Sequence, residues 1–382
     1  MGLFGKFPGA QHAVGIDIGS HTIKVVQVVA NRNGYQLTHA GSTPTPAEAV
    51  KQGVIDDRPA VAEALNALLR TLGLNTPWVV AAVAGPTVVV RQVRMPIMPE
   101  HQLRKSITWE ARNHISFPVE DSAVSFQILG TSTVDNSPQM DVMLVASPRE
   151  LIDSRVDTLE QAGLEPIAVE LEPFALMRSA IEMPGNGQLT RETIALVDIG
   201  ATFTQISIVS HGNFVLNRSV TIAGNSFTEA IAGVLGIDAS QAETIKETET
   251  QVVTNEVTRA TLTPVGQQAS RALEPQLDEL VREIRRSFAF YDYQQGPAGG
   301  AQGVDGVSRI ILSGGSANMA GLTECLRDQL SLPVETIDLF AAGNVQLPVG
   351  ADELQGQVNR LTTAMGLALR EPMLEREKGR PR

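Results

Sequence analysis

Two stretches of the chain carry the same hydrophobic pattern. Ala13 to Ala30, AVGIDIGSHTIKVVQVVA, is a pair of runs rich in β-branched residues, broken by Gly-Ser-His-Thr. That predicts two strands joined by a tight turn. Thr193 to Ser210, TIALVDIGATFTQISIVS, repeats the pattern with the same Asp-Ile-Gly at the turn, so that Asp17 aligns with Asp198. An Asp-x-Gly pair is a weak signal by itself; the β-branched strands before and after each copy make it an internal repeat.

Between and after the copies, apolar spacing alternates between helix and strand periods. A helix is predicted over Pro59 to Leu72, with Val61, Leu65, Leu68, Leu69 and Leu72 on one face and Gly73 as its stop. Strands follow at Trp78 to Val83 and Val88 to Arg94, and a helix between Pro99 and Ile115, ended before Ser116-Phe117-Pro118. Ala123 to Leu129 and Asp141 to Ser147 read as strands joined by a polar hairpin loop, Thr131 to Gln139. Arg149 to Ala162 is an amphipathic helix stopped by Gly163, followed by a strand at Pro166 to Leu171 and a helix at Pro173 to Ile181. The turn-rich PGNGQ, Pro184 to Gln188, marks a lobe boundary. In the second half, helices are expected at Phe227 to Leu235, Ala239 to Glu249, Leu273 to Tyr293, Met319 to Leu330 and Leu354 to Leu369. Ser308 to Leu312 reads as a buried strand. Thr250 to Gln267 reads as a loop or insertion, Gln294 to Gly306 as a flexible Gly-rich loop, and Glu371 to Arg382 as a charged, disordered tail.

Composition adds bounds. With 382 residues, 43% hydrophobic and 19% charged, the chain is long enough for two domains and too apolar for disorder. A net charge of -12 disfavours nonspecific binding to nucleic acid or anionic lipid. The single cysteine, Cys325, excludes an internal disulfide and a cysteine metal cluster; between Leu322 and Leu326 it reads as a packed thiol. The most apolar run, Trp78 to Val90, is interrupted by Gly85 and Pro86 and is too short to span a bilayer. The opening MGLFGKFPGA lacks a secretory core, and Leu3, Phe4 and Phe7 beside Lys6 read either as a disordered arm or as a segment that touches a membrane surface.

The chemistry lies in three turns that follow strands: Asp17-Ile18-Gly19-Ser20, Asp198-Ile199-Gly200-Ala201 and Ser313-Gly314-Gly315-Ser316. Glycine lets a backbone approach a phosphate and aim its N–H groups at the oxygens. Ser20 and Thr202 add hydroxyls, and Lys24 adds a positive charge. Asp17 and Asp198 then require a cation between themselves and a phosphate, and Mg²⁺ with its waters is the natural one. Each turn alone also reads as a tight hairpin that needs glycine only for its geometry.

The order Asp-x-Gly hairpin, Asp-x-Gly-x-x-x-Thr hairpin (Asp198, Gly200, Thr204) and Ser-Gly-Gly resembles the actin superfamily. Within it the chain resembles the PilM family, over roughly residues 13 to 370. The carriers are GIDIGSHTIKVVQV, WEARNHISFPVED (Trp109 to Asp121) and VELEPFALMRSA (Val169 to Ala180). The resemblance implies an α/β, actin-like (ribonuclease H-like) fold of two lobes with an FtsA-type subdomain inserted in the first. The expected first lobe is 13–81 with 164–190, and the insertion is Ala82 to Gly163. The second lobe is 191–226 with 305–370, its subdomain is 227–293, and a charged tail occupies 371–382.

The resemblance also implies ATP and Mg²⁺ in the cleft. It assigns Asp17, Gly19, Ser20, His21 and Lys24 to the first phosphate loop. Asp198, Gly200, Ala201 and Thr202 go to the second, and Gly314, Gly315 and Ser316 to the adenosine turn. Glu243 and Lys246 are candidates near the ribose, and Glu170 or Glu172 for a metal-bound water. His21 reads equally as a γ-phosphate donor or as a mere occupant of the turn. No residue is identified to orient an attacking water, so weak or no ATPase activity is expected. The implied partner is the N-terminal cytoplasmic peptide of PilN, with Trp109, Ile115 and Phe117 read either as groove lining or as core. A cytoplasmic location on the inner membrane by way of partners, indirect links to the pilus motors, and possible homo-oligomers complete the expectation. An FtsA-like division protein and an actin-fold ATPase or kinase are the alternatives. The last twelve residues, EPMLEREKGRPR, lack an amphipathic membrane helix of FtsA type.

Overall fold

The computed structural model describes residues 12–31, 34–134, 137–184, 187–253, 255–299, 306–340, 345–346 and 358–378. The sequence repeat becomes a repeat of whole sheets. β1 (Val14–Ile18) is buried at every position, as a strand flanked on both sides and covered on both faces must be. It pairs antiparallel with β2 (Thr22–Asn31), which pairs antiparallel with β3 (Gly34–Pro44). After the short β4 (Val50–Lys51), β5 (Val54–Ile55) and the helix α1 (Arg58–Leu72), β6 (Trp78–Val83) returns parallel to β1. β10 (Glu165–Leu171) adds parallel to β6. In the second half β11 (Thr193–Ile199), β12 (Thr204–Ser210) and β13 (Asn213–Val220) form the same meander, and β14 (Arg309–Ser313) and β15 (Val334–Thr336) add in parallel. Read from the meander edge, the sheets are β3-β2-β1-β6-β10 and β13-β12-β11-β14-β15; β16 (Val345–Gln346) extends the first beside β3.

Between β6 and β10 the chain builds a separate three-stranded sheet, ordered β7-β9-β8, from β7 (Val89–Pro96), β8 (Ser122–Val134) and β9 (Ser137–Pro148). Helix α2 (Glu100–Ala111) packs on it through Leu103, Ile107 and Ala111. The next helix, α3 (Arg149–Gln161), instead turns Leu159 into the α1 core of the first sheet. The small sheet itself ends at Pro148.

The polar stretch Thr131 to Gln139, expected as a loop, extends both strands of the β8–β9 hairpin: Thr131 pairs with Met140 and Val134 with Ser137. The second lobe packs α5 (Gly224–Leu235), α6 (Ala239–Thr248) and α8 (Pro264–Gly299) into one core with its sheet, and the short α7 (Glu256–Ala260) lies between α6 and α8 in the chain. Helix α8 begins inside the expected Thr250–Gln267 loop and runs into the expected Gly-rich one; residues 300–305 lie outside the described residues. After α9 (Leu322–Leu330), the last helix is α10 (Val358–Lys378). It continues through most of the segment expected as a disordered tail, because Met373 still packs against the main core. The start expected for this helix, Leu354, lies outside the described residues.

Helix α4 (Glu172–Met177) and α10 join the lobes. Both contribute to one core with β2, β3, β11 and β14. Their contact is set by backbone. A Cβ on Gly366 would lie 1.8 Å from the Ala175 carbonyl oxygen, and one on Gly15 would lie 2.2 Å from the Ala364 carbonyl oxygen. Gly366→Ala should therefore destabilise the protein by about 3 kcal/mol or more in chemical denaturation, since backbone must move to admit it. Gly233→Ala, in an exposed position of α5 with nothing within 4 Å, should instead stabilise it by about 0.5–1 kcal/mol. Equal effects would contradict the close helix contact.

Candidate functional site

The two hairpin turns have the same hydrogen bond. Gly19 N donates to Thr22 O at 3.1 Å, and Gly200 N donates to Phe203 O at 3.1 Å. Each closes a four-residue turn between strands whose last pairs are Ile18 with Ile23 and Ile199 with Thr204. A Cβ on either glycine would crowd the same carbonyl, at 3.1 Å and 3.0 Å. The turns face each other: Ser20 Oγ and Thr202 Oγ1 are 2.6 Å apart, 182 residues distant in sequence. Thr45 steadies the first turn, donating its hydroxyl to Gly19 O at 2.7 Å and its N–H to His21 O at 3.0 Å. Gly224 N and Asn225 N, at the start of α5, do the same for the second by donating to Gly200 O and Ala201 O.

The third turn lies directly on the second. Gly314 has φ +91°, and a Cβ there would sit 2.4 Å from the Ile199 carbonyl oxygen, so only glycine fits. It leads into a 3₁₀ turn, Gly315–Asn318, rather than straight into the helix expected at Met319. Opposite it, Lys246 is buried and donates to Glu243 Oε2 at 2.6 Å, to Thr228 Oγ1 at 2.8 Å and to Gly224 O at 3.1 Å. Burial would push the Glu243 carboxyl up, but the hydrogen bonds from Lys246 and Thr228 prevail and hold it below the usual range.

These parts line one cavity of about 470 Å³ between the lobes. It takes in Asp17, Gly19, Ser20, His21, Lys24, Asp198, Gly200, Ala201, Thr202, Glu243, Lys246, Gly314, Gly315 and Ser316. Glu170 is the exception. Its carboxylate is held by Arg178 in a two-pronged pair at 2.6 and 3.0 Å, and Arg370 approaches at 3.6 Å, outside the cavity. Of the two glutamates considered at this strand end, Glu172 is the one in the cleft. It is the first residue of α4, and the change from strand to helix after Leu171 breaks the alternation that would otherwise set Glu170 and Glu172 on one face.

The cleft floor is rich in negative charge. Burial, then Asp17 and Asp198, push the Glu172 carboxyl up to about 8. Burial also pushes Asp198 up to about 6, against a hydrogen bond from Ser313. Lys24 donates to Asp17 at 2.8 Å; burial opposes its charge, but Asp17, Glu172 and Asp198 outweigh that and raise its pKa. Carboxylates crowded in this way ask for a further cation. Among the described residues no three carboxylate, histidine or cysteine groups are placed to ligate an ion directly. Oxygen donors of this kind are the ones that Mg²⁺ prefers.

Sequence reasoning did not find Arg155, Asn318, Asn359 and Arg360, which also line the cavity. Arg155 stands on the buried face of α3 between Leu151 and Leu159, where apolar periodicity reads as core, and no motif marks either arginine. Trp109 is 65% exposed, so its core reading is excluded; Ile115 packs against the core of the small sheet, and Phe117 is half-buried.

Two duplicated sheets with facing Gly turns at the lobe junction define an actin-like protein. The Spiroplasma citri protein MreB 5, solved bound to AMPPNP, shares the fold with a TM-score of 0.53 at 13% identity, over 97% of this chain and 99% of that one. The cell division protein FtsA of Bacillus subtilis (strain 168) is 22% identical over 356 residues, 83% of this chain and 76% of FtsA. A solved PilM-PilN type IV pilus biogenesis complex matches with a TM-score of 0.80 and 26% identity, over 94% of this chain and 98% of that chain. The family model for type IV pilus assembly protein PilM matches residues 15–372, and the chain belongs to that family.

The charge crowding has a consequence for stability. Glu172 takes up a proton in the fold near pH 8 but near pH 4.5 when unfolded, so its contribution is full below about 4.5 and lost as pH rises through about 8. In ligand-free, metal-free protein, Glu172→Gln should melt above wild type at pH 8.5, with the gap closing toward pH 5. Parallel melting curves across that range would contradict the crowding.

Proposed function

We propose that the chain is an ATP-binding scaffold of type IV pilus assembly, which holds Mg-ATP between its lobes and docks the N-terminal cytoplasmic segment of PilN. The observation that carries the nucleotide part is the meeting of the two equivalent turns, Ser20 to Thr202, at the mouth of the carboxylate-lined floor. A triphosphate chain between them would receive backbone N–H groups and hydroxyls from both lobes, with Lys24 beside it. Asp17, Glu172 and Asp198 would hold the waters of Mg²⁺, which supplies the charge that these carboxylates lack. The Gly314 turn and the Glu243–Lys246 pair would flank the adenosine. MreB 5 bound to AMPPNP supports a nucleotide in this fold.

Family membership and the likeness to the PilM-PilN complex support the docking part. The groove is proposed between the first lobe and the small sheet β7-β9-β8, with exposed Trp109 on its outer helix. No helix among the described residues is long and apolar enough to cross a membrane. The proposed location, at the cytoplasmic face of the inner membrane, is through PilN. In this reading nucleotide serves as an element that ties the lobes together rather than as a fast substrate.

Lys24→Ala should weaken ATP by about tenfold or more while changing adenosine by less than twofold, because a single charge-assisted contact to phosphate is worth about 1.5–3 kcal/mol. Asp198→Ala should abolish most of the dependence of ATP binding on Mg²⁺. Both are read by competition against a fluorescent ATP analogue. Equal loss of ATP and adenosine in Lys24→Ala, or an unchanged Mg²⁺ dependence in Asp198→Ala, would remove these residues from the phosphate end.

A further inference from the structure

The residues that line the cavity fall into two groups. Gly314, Met319, Asn359 and Arg360 gather round the turn proposed for adenosine. Val50, Gly53, Ala84, Arg155 and Phe203 form a second end, held together by the contacts of Arg155 with Gly53 and of Gly53 with Ala84. Arg155 feels the charges of Glu172 and Asp17, so this second end adjoins the carboxylate floor where the phosphates are proposed.

That second end holds a buried guanidinium. Arg155, on α3, is 2% exposed. Its Nη1 donates to the Gly53 carbonyl oxygen and, at 3.4 Å, to Leu151 O, while its Nε has no hydrogen-bond partner. Burial lowers its pKa, and the carboxylates of Glu172 and Asp17 work against that. A guanidinium stays charged under such conditions, and a buried charge with an unfilled donor is costly unless something fills it. A phosphate oxygen matches the donor geometry of a guanidinium.

Arg155 also stands at a junction of backbones. Gly53, with φ +86°, occupies the β4–β5 turn, and a Cβ on it would lie 2.8 Å from Ala84 O and 3.1 Å from Leu151 Cδ1. Next to it, Gly85, with φ +140°, is where the chain leaves β6 for the small sheet. A Cβ there would lie 3.7 Å from Gln52 O and 4.0 Å from the ring of Phe203 in the second turn of the other lobe. Gly53, whose carbonyl Arg155 grips, thus lies close against the root of the inserted sheet, and that root faces the second turn of the opposite lobe.

We propose that Arg155 reads the terminal phosphate of a nucleoside triphosphate in the cleft and, through Gly53, ties its presence to the root of the inserted sheet at Ala84–Gly85. This rests on the nucleotide reading of the cleft. Arg155 acts as a phosphate-specificity residue, and Gly53 and Gly85 are the backbone it positions. A purely structural Arg155 would pin Gly53 equally with any nucleotide, so the two roles separate on the difference between tri- and diphosphate.

The test measures Mg-ATP and Mg-ADP affinity by calorimetry in wild type and in Arg155→Lys, which keeps the charge and loses the fork, with melting curves to verify folding. ATP affinity should fall tenfold or more in the variant while ADP affinity changes by less than twofold. Equal losses, or none, would overturn the assignment and leave the nucleotide reading standing. Wild type that bound neither nucleotide would overturn both. Hydrogen exchange on wild type needs no variant: amides in 50–56 and 84–88 should be slowed more by Mg-ATP than by Mg-ADP at saturation. Equal protection there would overturn the link to the inserted sheet.

Discussion

Two lobes of this size can share one cleft only if something rigid joins them behind it, and here the joint is backbone laid on backbone. Helix α10 rests on β1 at Gly15 and on α4 at Gly366, where side-chain-free positions let main chains touch. Apolar side chains then close around the contact: Leu361, Ala364, Met365 and Ala368 of α10 share a core with Leu176 and Ala180 beside α4 and with Ile194 and Leu196 of β11. Because β1 and β11 both end in an Asp-Ile-Gly turn, fixing these strands relative to one another fixes the turns as well. The 2.6 Å approach of Ser20 to Thr202 follows from packing some distance away.

The same closeness creates the chemistry. Asp17 and Asp198 are each tolerable in a separate lobe; brought together with Glu172 at the start of α4, they crowd negative charge against one lysine salt bridge. Burial makes every charge there more expensive. A fold that keeps such a centre at the floor of a cleft is poised to gain from a cation and a ligand that carries it. The guanidinium of Arg155, unfilled at Nε, is the complementary site at the far end.

Much of this was legible in the sequence, for identifiable reasons. The hairpins declare themselves because β1, β11 and β12 are buried at all or nearly all positions and so are rich in β-branched residues. Helix α1 shows both its periodic face and its Gly73 stop, which takes the left-handed conformation in the structure. The strands β3 and β13 are not legible because exposed polar residues such as Gln36, Ser42 and Asn213 interrupt their apolar positions. The polar hairpin tip of β8–β9 and the end of α10 misled for the opposite reason: pairing and one anchoring methionine override a polar composition. Site residues that lie in Gly turns were found by motif. Arg155 and Arg360 were not, since only tertiary packing brings these helices to the cleft. Choosing between Glu170 and Glu172 needed the strand's exit direction, which no local pattern encodes.

The proposed function requires the cleft to be a working nucleotide site made from both lobes. The most direct measurement is a calorimetric titration of Mg-ATP into nucleotide-free protein, repeated on a Gly314→Val variant. That substitution would drive the adenosine turn into the backbone at Ile199. Saturable binding at one ATP per chain in wild type, lost in a variant that still folds, is the predicted result. Absence of binding in wild type, or binding untouched by the substitution, would contradict it.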